Sequence, residues 1–153
     1  MHITRNDNTL QIKANQTSVN LHDTVRLGTF EVPGPGEYDV EGVSAIVIPA
    51  PSCTAIVSLE TVSILYLDHP YKVDAEDEDF ANVDVVAIRV STADEIALAQ
   101  QVVKDLEPRA YILFGMPATE IIETAKLTLE PTAKWTVSAN SLPEEGTEPV
   151  VLE

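Results

Sequence analysis

The pair Asp68 and His69 carries the side chains with the clearest capacity for chemistry. It stands at the end of the apolar run SILYLD, so we expect it at the end of a strand. A carboxylate and an imidazole can both ligate zinc, but a zinc site needs about three or four ligands in total. His2 and His22 are the only other histidines, and neither has ligand spacing to a partner. An Asp-His pair before a proline is more often a turn, in which the aspartate hydrogen-bonds to its own backbone.

Other reactive side chains form no recognisable catalytic pattern. The acidic run that begins at Asp74 has Asp79 and Val85 where an EF-hand loop needs glycine and glutamate, so a solvated loop over residues 74–84 is predicted. Cys53 has no histidine nearby in the sequence, and neither a G-x-S-x-G nor an S-x-x-K motif occurs. We therefore predict no catalytic residue.

The segment GPGEY consists of Gly34, Pro35, Gly36, Glu37 and Tyr38. A phosphate-binding loop needs a glycine pattern that leads into a helix, whereas a strand follows here. Proline fixes φ and glycine permits positive φ, so we predict a structural bend between two strands.

Hydrophobic periodicity predicts strands first and helices later. Alternating residues over 3–32 indicate half-buried antiparallel strands, and the apolar run VDVVAIRV indicates a strand that is buried on both faces. Apolar residues at helical spacing, preceded by a capping Ser or Thr, predict a helix over 92–106. A second helix is predicted over 119–127. Further strands are predicted at 41–49, 54–68, 109–114, 134–138 and in the tail. The pattern predicts an α+β fold with one domain over 1–153.

Charge and composition limit the partners of the chain. It has 25 acidic and 9 basic residues, giving a formal net charge of −16. This balance argues against binding to nucleic acid or to an anionic membrane, both of which require Lys and Arg. No apolar run approaches the ~20 residues of a membrane helix. A single cysteine, Cys53, permits no internal disulfide, so we expect a reducing, cytoplasmic location.

Taken in order, five segments resemble the metallo-β-lactamase superfamily, in particular the small metal-dependent hydrolases similar to the ascorbate-phosphate lactonase type. The resemblance covers about residues 27 to 153. The segments that carry it are FEVPGPGEYDVEGV, TAIVSLETVSILYLDH, NVDVVAIRV, VVKDLEPRAYILFG and SANSLPEEGTEPVVLE.

The resemblance implies an αββα sandwich of mostly antiparallel sheets with outer helices. It also implies a metal-dependent hydrolase in which Asp68 would be the aspartate that bridges two metals. However, the family's H-x-H-x-D-H motif is missing, and Gly115 and Met116 stand where a further histidine is expected. We therefore predict a truncated or degenerate, non-catalytic member that binds no metal, with Asp68 and His69 as vestigial candidates.

Two alternatives stay open at this stage. One is a zinc- or manganese-dependent hydrolase whose site, with Asp68 and His69, is divergent or completed by a partner. The other is a small-ligand sensor that uses the vestigial cleft near Asp68, Gly115 and Met116.

A shortened member of the fold should lack a covering helix and expose apolar sheet surface, which we expect on strands 45–48 and 56–59. Unpaired sheet edges also invite pairing. We therefore predict a homodimer or a complex with another protein, with the acidic segment 74–84 turned away from the contact.

Overall fold

Two β-sheets stack face to face in the computed structural model, which describes all residues from 1 to 153. One sheet has six strands in the order β12-β1-β2-β3-β4-β5, and the other has seven in the order β13-β11-β10-β9-β8-β7-β6. The elements are β1 His2–Asn6, β2 Thr9–Ala14, β3 Thr17–Leu21, β4 Val25–Leu27, β5 Phe30–Glu31, β6 Gly36–Val40, β7 Val43–Ile48, β8 Thr54–Leu59, β9 Val62–Leu67, a 3₁₀ turn Glu78–Phe80, β10 Val85–Arg89, α1 Ala93–Leu106, β11 Ala110–Phe114, α2 Ala118–Ala125, β12 Lys134–Thr136 and β13 Glu148–Val151.

The six-stranded sheet is antiparallel throughout, as the period-two alternation predicted. Alternate residues of its strands point into the space between the sheets and are fully buried, among them Ile3, Leu10, Ile12 and Val19. Because successive side chains of a strand point to opposite faces, the residues between them form the outer face.

The seven-stranded sheet is mixed. Strands β6 to β9 pair antiparallel through hairpins, whereas β9, β10, β11 and β13 pair in parallel. A parallel pair needs a crossover connection, and α1 supplies the one between β10 and β11. Both β10 and β11 are buried on both faces, which confirms the interpretation of VDVVAIRV.

Two hydrophobic clusters hold these layers together. The larger one fills the space between the sheets and runs from Ile3 to Leu152, so both ends of the chain share it. The second joins the outer face of the seven-stranded sheet to α1 and α2 through residues such as Ile96 and Ile121.

The two predicted helices are present. The Thr92 hydroxyl accepts a hydrogen bond from the Glu95 N–H and caps α1, which ends where Glu107 adopts a left-handed conformation. Helix α2 ends two residues earlier than predicted because Lys126 adopts the same conformation. Neither α-helix is long and apolar enough to cross a membrane.

The prediction of an exposed apolar sheet surface on strands 45–48 and 56–59 is wrong. Ile56 is buried, and Ile46 and Ile48 are half-buried against the second cluster. Both α-helices lie on the seven-stranded sheet, and the outer face of the six-stranded sheet is polar, with residues such as Gln11 and Asn20. Phe30 and Leu98 are the exposed large hydrophobic residues.

Candidate functional site

The candidate site lies where β9 and β10 end and α1 begins. Parallel strands present their carboxyl ends at the same edge of a sheet, which is where α/β folds usually place their sites. Ile88 of β10 pairs with Leu67 of β9. The next residues, Arg89 and Asp68, therefore lie beside each other, on the face that packs towards the other sheet.

Asp68 and Arg89 form a buried, two-point ion pair. Arg89 Nε donates to Asp68 Oδ1 at 2.9 Å, and Arg89 Nη2 donates to Oδ2 at 3.2 Å. The Tyr66 hydroxyl donates to the same Oδ1 at 2.8 Å. The Asp68 and Arg89 side chains are only 9% and 11% exposed, so solvent screens this pair weakly.

The contacts within this network shift the pKa values of Asp68 and Tyr66. Burial alone would raise the pKa of Asp68, but hydrogen bonds from Arg89 and Tyr66, together with the Arg89 charge, outweigh it and hold that pKa below its ordinary value. Burial and the neighbouring Asp68 carboxylate raise the pKa of the Tyr66 hydroxyl. Asp68 is thus a carboxylate and Tyr66 a neutral donor at neutral pH.

His69 extends the network towards solvent. Its Nε2 lies 2.8 Å from Arg89 Nη2, and its Nδ1 lies 3.0 Å from Glu95 Oε2. A guanidinium can only donate, so Nε2 accepts, and the proton of the neutral ring is on Nδ1, where it is donated to Glu95. Glu95 also accepts a hydrogen bond from the Ser91 N–H at 2.9 Å, which fixes the carboxylate at the start of α1.

Sequence reasoning identified Asp68 and His69 but missed Arg89 and Glu95. It assigned Glu95 to the first turn of α1, where it favours the helix dipole. The missed signal at Arg89 is a charged residue at the end of an otherwise apolar buried strand, because a buried arginine needs an anionic partner.

Gly115 and Met116 close the side of this site. Arg5 donates to the carbonyl oxygens of Gly115 at 3.0 Å and of Met116 at 3.1 Å. Gly115 has φ +116°, and an added Cβ would lie 2.5 Å from the Val90 carbonyl oxygen and 2.9 Å from Arg89 Cγ. The loop after β11 is therefore packed directly against the Arg89 side chain, which only glycine permits.

A cleft of about 600 Å³ lies at the opposite end of the sandwich. It is lined by the turns between β2 and β3, between β6 and β7, and between β8 and β9. Glu41 and Glu60 make it acidic. It does not include Asp68, Gly115 or Met116.

The GPGEY segment connects the two sheets. The Tyr38 hydroxyl donates to the Gly34 carbonyl oxygen at 2.7 Å, which fixes the bend. Gly36 begins β6 with φ +148°, and Glu37 and Tyr38 continue it. The bend is therefore confined to Gly34 and Pro35, whereas Gly36, Glu37 and Tyr38, which the sequence analysis assigned to it, form the start of β6.

Comparison of the sequence with family models and with curated proteins gave no match. Among solved structures, a proposed Zn-dependent hydrolase of the metallo-β-lactamase superfamily from Thermotoga maritima is similar over 100% of both chains. The TM-score is 0.72 and the sequence identity is 15%. The chain has the metallo-β-lactamase fold. At this identity, the similarity concerns the fold alone.

The residues at the end of β9 do not fit the metal site that the metallo-β-lactamase resemblance implies. Both Asp68 oxygens accept hydrogen bonds from Arg89, and both ring nitrogens of His69 are engaged with Arg89 and Glu95. No group of three or more His, Cys, Asp and Glu side chains is arranged to hold a metal ion. A zinc site would need such a group.

Cys53 lies next to the network, and its carbonyl oxygen accepts a hydrogen bond from the Asp68 N–H at 2.9 Å. Burial, with smaller contributions from Asp68 and Asp23, raises the pKa of the Cys53 thiol to about 11. The nucleophilic form of cysteine is the thiolate, so this side chain is a protonated thiol at neutral pH.

Proposed function

We propose that this chain is a non-catalytic protein of the metallo-β-lactamase fold that acts by association with another protein molecule. The observation that carries the non-catalytic part is the ion pair between Arg89 and Asp68. The guanidinium provides the positive charge that a metal ion would otherwise bring to this carboxylate.

The energetics of the pair support this proposal. A metal ion bound at Asp68 would either place a second positive charge beside Arg89, which is unfavourable at short range in a buried site, or displace Arg89 from the carboxylate. Breaking a buried ion pair by removing one partner costs about 3–5 kcal/mol, because the other charge remains buried. Hydrolysis in this fold depends on the metal as Lewis acid and as the source of activated water. Arg89 can polarise a bound group but cannot generate a hydroxide in that way.

A shortened, degenerate form of the fold belongs to the same proposal. Both α-helices pack on one sheet, whereas the αββα arrangement implied by the family resemblance has helices outside both sheets. The missing H-x-H-x-D-H motif is part of this interpretation.

Metal content tests the non-catalytic part. Protein purified without chelator is analysed by inductively coupled plasma mass spectrometry, and it is assayed on lactone, ester and phosphodiester substrates with added zinc or manganese. We expect metal far below stoichiometry and no metal-dependent turnover. Near-stoichiometric metal that Asp68→Ala removes would refute the proposal and would support the divergent or partner-completed hydrolase. Glu144→Ala, a change at an exposed residue, is the control.

Association is the second part, with a second copy or another protein as the partner, and a cytoplasmic location goes with it. The support is the unpaired outer edge of β6 and the exposed aromatic ring of Phe30 beside it. The single cysteine, Cys53, permits no internal disulfide, which is typical of a reducing compartment. Size-exclusion chromatography with light scattering on purified protein, and on complexes isolated from cells, tests this part. A monomer that is isolated without any stoichiometric partner would contradict it.

A further inference from the structure

Strand β6 forms an open edge of the seven-stranded sheet. It pairs with β7 on one side and has no strand on the other. The connection to β7 is the two-residue turn Glu41-Gly42, and both residues have positive φ. In such a turn the flanking residues, Val40 and Val43, form a hydrogen-bonded pair.

This turn decides which backbone groups of β6 are unpaired. Hydrogen-bonded pairs alternate along an antiparallel ladder, so Gly36, Tyr38 and Val40 bond to β7. The N–H and C=O groups of Glu37 and Asp39 therefore point away from the sheet. No backbone hydrogen bond outside the helices and strands involves residues 36–40.

The side chains along this edge favour a basic partner. Glu37 and Asp39 are exposed and project from the outer face of the sheet, on the same side as Ile46. Between them, Tyr38 projects from the opposite face. The Tyr38 and Phe30 ring centroids are 6.1 Å apart, and Phe30 is 41% exposed. The edge thus presents carboxylate, aromatic group and carboxylate in turn.

A second copy of this chain fits the edge poorly. In a symmetric antiparallel pair of β6 strands centred on Tyr38, Glu37 would face Asp39 of the other copy, and the reverse. Like charges directly opposite each other in a sheet are destabilising. The carboxylates therefore exclude the most direct dimer while leaving their own backbone groups available.

We propose that the β6 edge binds an extended segment of another protein by adding a strand to the sheet. The segment has Lys or Arg at alternating positions, opposite Glu37 and Asp39, and an apolar residue between them beside Phe30 and Tyr38. Backbone hydrogen bonds supply affinity and the alternate side chains supply specificity, as in other strand additions. The net charge of −16 attracts such a segment over longer distances. This inference rests on the proposed association function.

Fluorescence anisotropy with short labelled peptides tests the inference on the full chain. The peptide Thr-Val-Lys-Val-Lys-Val-Thr alternates basic and apolar residues, and Thr-Val-Lys-Lys-Val-Val-Thr has the same composition without the alternation. We expect the first peptide to bind about tenfold more tightly, because only it places both lysines opposite the two carboxylates. N-methylation of its two lysines, which removes the backbone donors, should abolish binding. No binding of the first peptide, or equal affinity for both, would overturn the proposal.

A matched pair of variants separates the edge from overall charge. The double variant Glu37→Lys/Asp39→Lys should weaken binding of the alternating peptide about tenfold or more. Glu144→Lys/Glu145→Lys changes the net charge equally at exposed residues and should leave binding within about twofold at physiological salt. Equal losses in both variants would show non-specific attraction and overturn the proposal.

Hydrogen exchange provides a readout of the backbone itself. With bound peptide, the amides of Glu37 and Asp39 should exchange more slowly, while those of Tyr38 and Val40 are already protected in the free protein. Absence of slowing at Glu37 and Asp39 would overturn the proposal. Metal content of the same preparation keeps the two proposals apart: low metal without peptide binding refutes only the edge, and stoichiometric metal with peptide binding refutes only the non-catalytic function.

Discussion

Carboxylates stand in opposite situations at the end of β9 and along β6. Asp68 is buried, and its oxygens accept hydrogen bonds from Arg89 and Tyr66. Glu37 and Asp39 are exposed, and their backbone groups have no partner in the sheet. The Asp68 oxygens are thus hydrogen-bonded within the chain, whereas the backbone N–H and C=O groups of Glu37 and Asp39 can bond to another molecule. In our proposal the molecule therefore makes its contacts at the β6 edge rather than at the end of β9.

The largest effect is expected from Arg89→Met. It leaves the Asp68 charge buried without a partner, so the free energy of unfolding at neutral pH should fall by about 3–5 kcal/mol. Urea denaturation measures this change. Arg26→Met, at an exposed position of β4, should alter stability by less than about 0.5 kcal/mol. If both variants lose the same small amount, the ion pair is not buried as described.

Gly115→Ala should also destabilise the chain strongly. The added Cβ would collide with the Val90 backbone and the Arg89 side chain in a left-handed conformation, at a cost of about 2–4 kcal/mol. Gly42→Ala, in the turn beside β6, meets no atom within 4 Å and should cost about 1 kcal/mol. Thermal denaturation compares the two. Equal losses would mean that the loop after β11 can move away from Arg89.

The pH dependence of stability should report the Asp68 pair. The pKa of the Asp68 carboxyl group is lower in the folded chain than its ordinary value of 3.8. The ionised carboxylate therefore stabilises the folded chain above pH 3.8. This contribution is lost as pH falls through the folded pKa. Urea denaturation from neutral to acid pH should therefore show the stability difference between the native chain and Asp68→Asn narrowing below pH 3.8. A difference that stays constant over this range would assign the Asp68 contribution to packing instead.

The smallest effect is expected at the β6 edge. Glu37→Lys/Asp39→Lys reverses two exposed charges and removes one hydrogen bond from the Ser44 hydroxyl to Asp39, so stability should change by less than about 0.5 kcal/mol. Urea denaturation provides the measurement. A loss of about 2 kcal/mol or more in the free energy of unfolding would show that the edge carboxylates stabilise the sheet itself.

Most of the elements could be predicted from the sequence because their signals are local. Alternation with turn residues predicted β1 to β5, and apolar runs predicted β7 to β11, whereas β6 was not predicted. Thr92 with its following acidic residues predicted the start of α1. The candidate site could be predicted only in part. Asp68 and His69 follow a strand in the sequence, but Arg89 and Glu95 are more than 20 residues away from Asp68, and no local pattern connects them.

The amino-acid sequence alone determined that few metal-ligating histidines exist, where the strands and helices form, and that the chain is strongly acidic. The tertiary structure decided that Arg89 meets Asp68, because this depends on the register of β10 against β9. It also decided that both helices cover the same sheet and that β6 is left at an edge. The reason is physical: hydrophobic period and capping act within one segment, whereas charge pairing and edge exposure depend on which segments become neighbours.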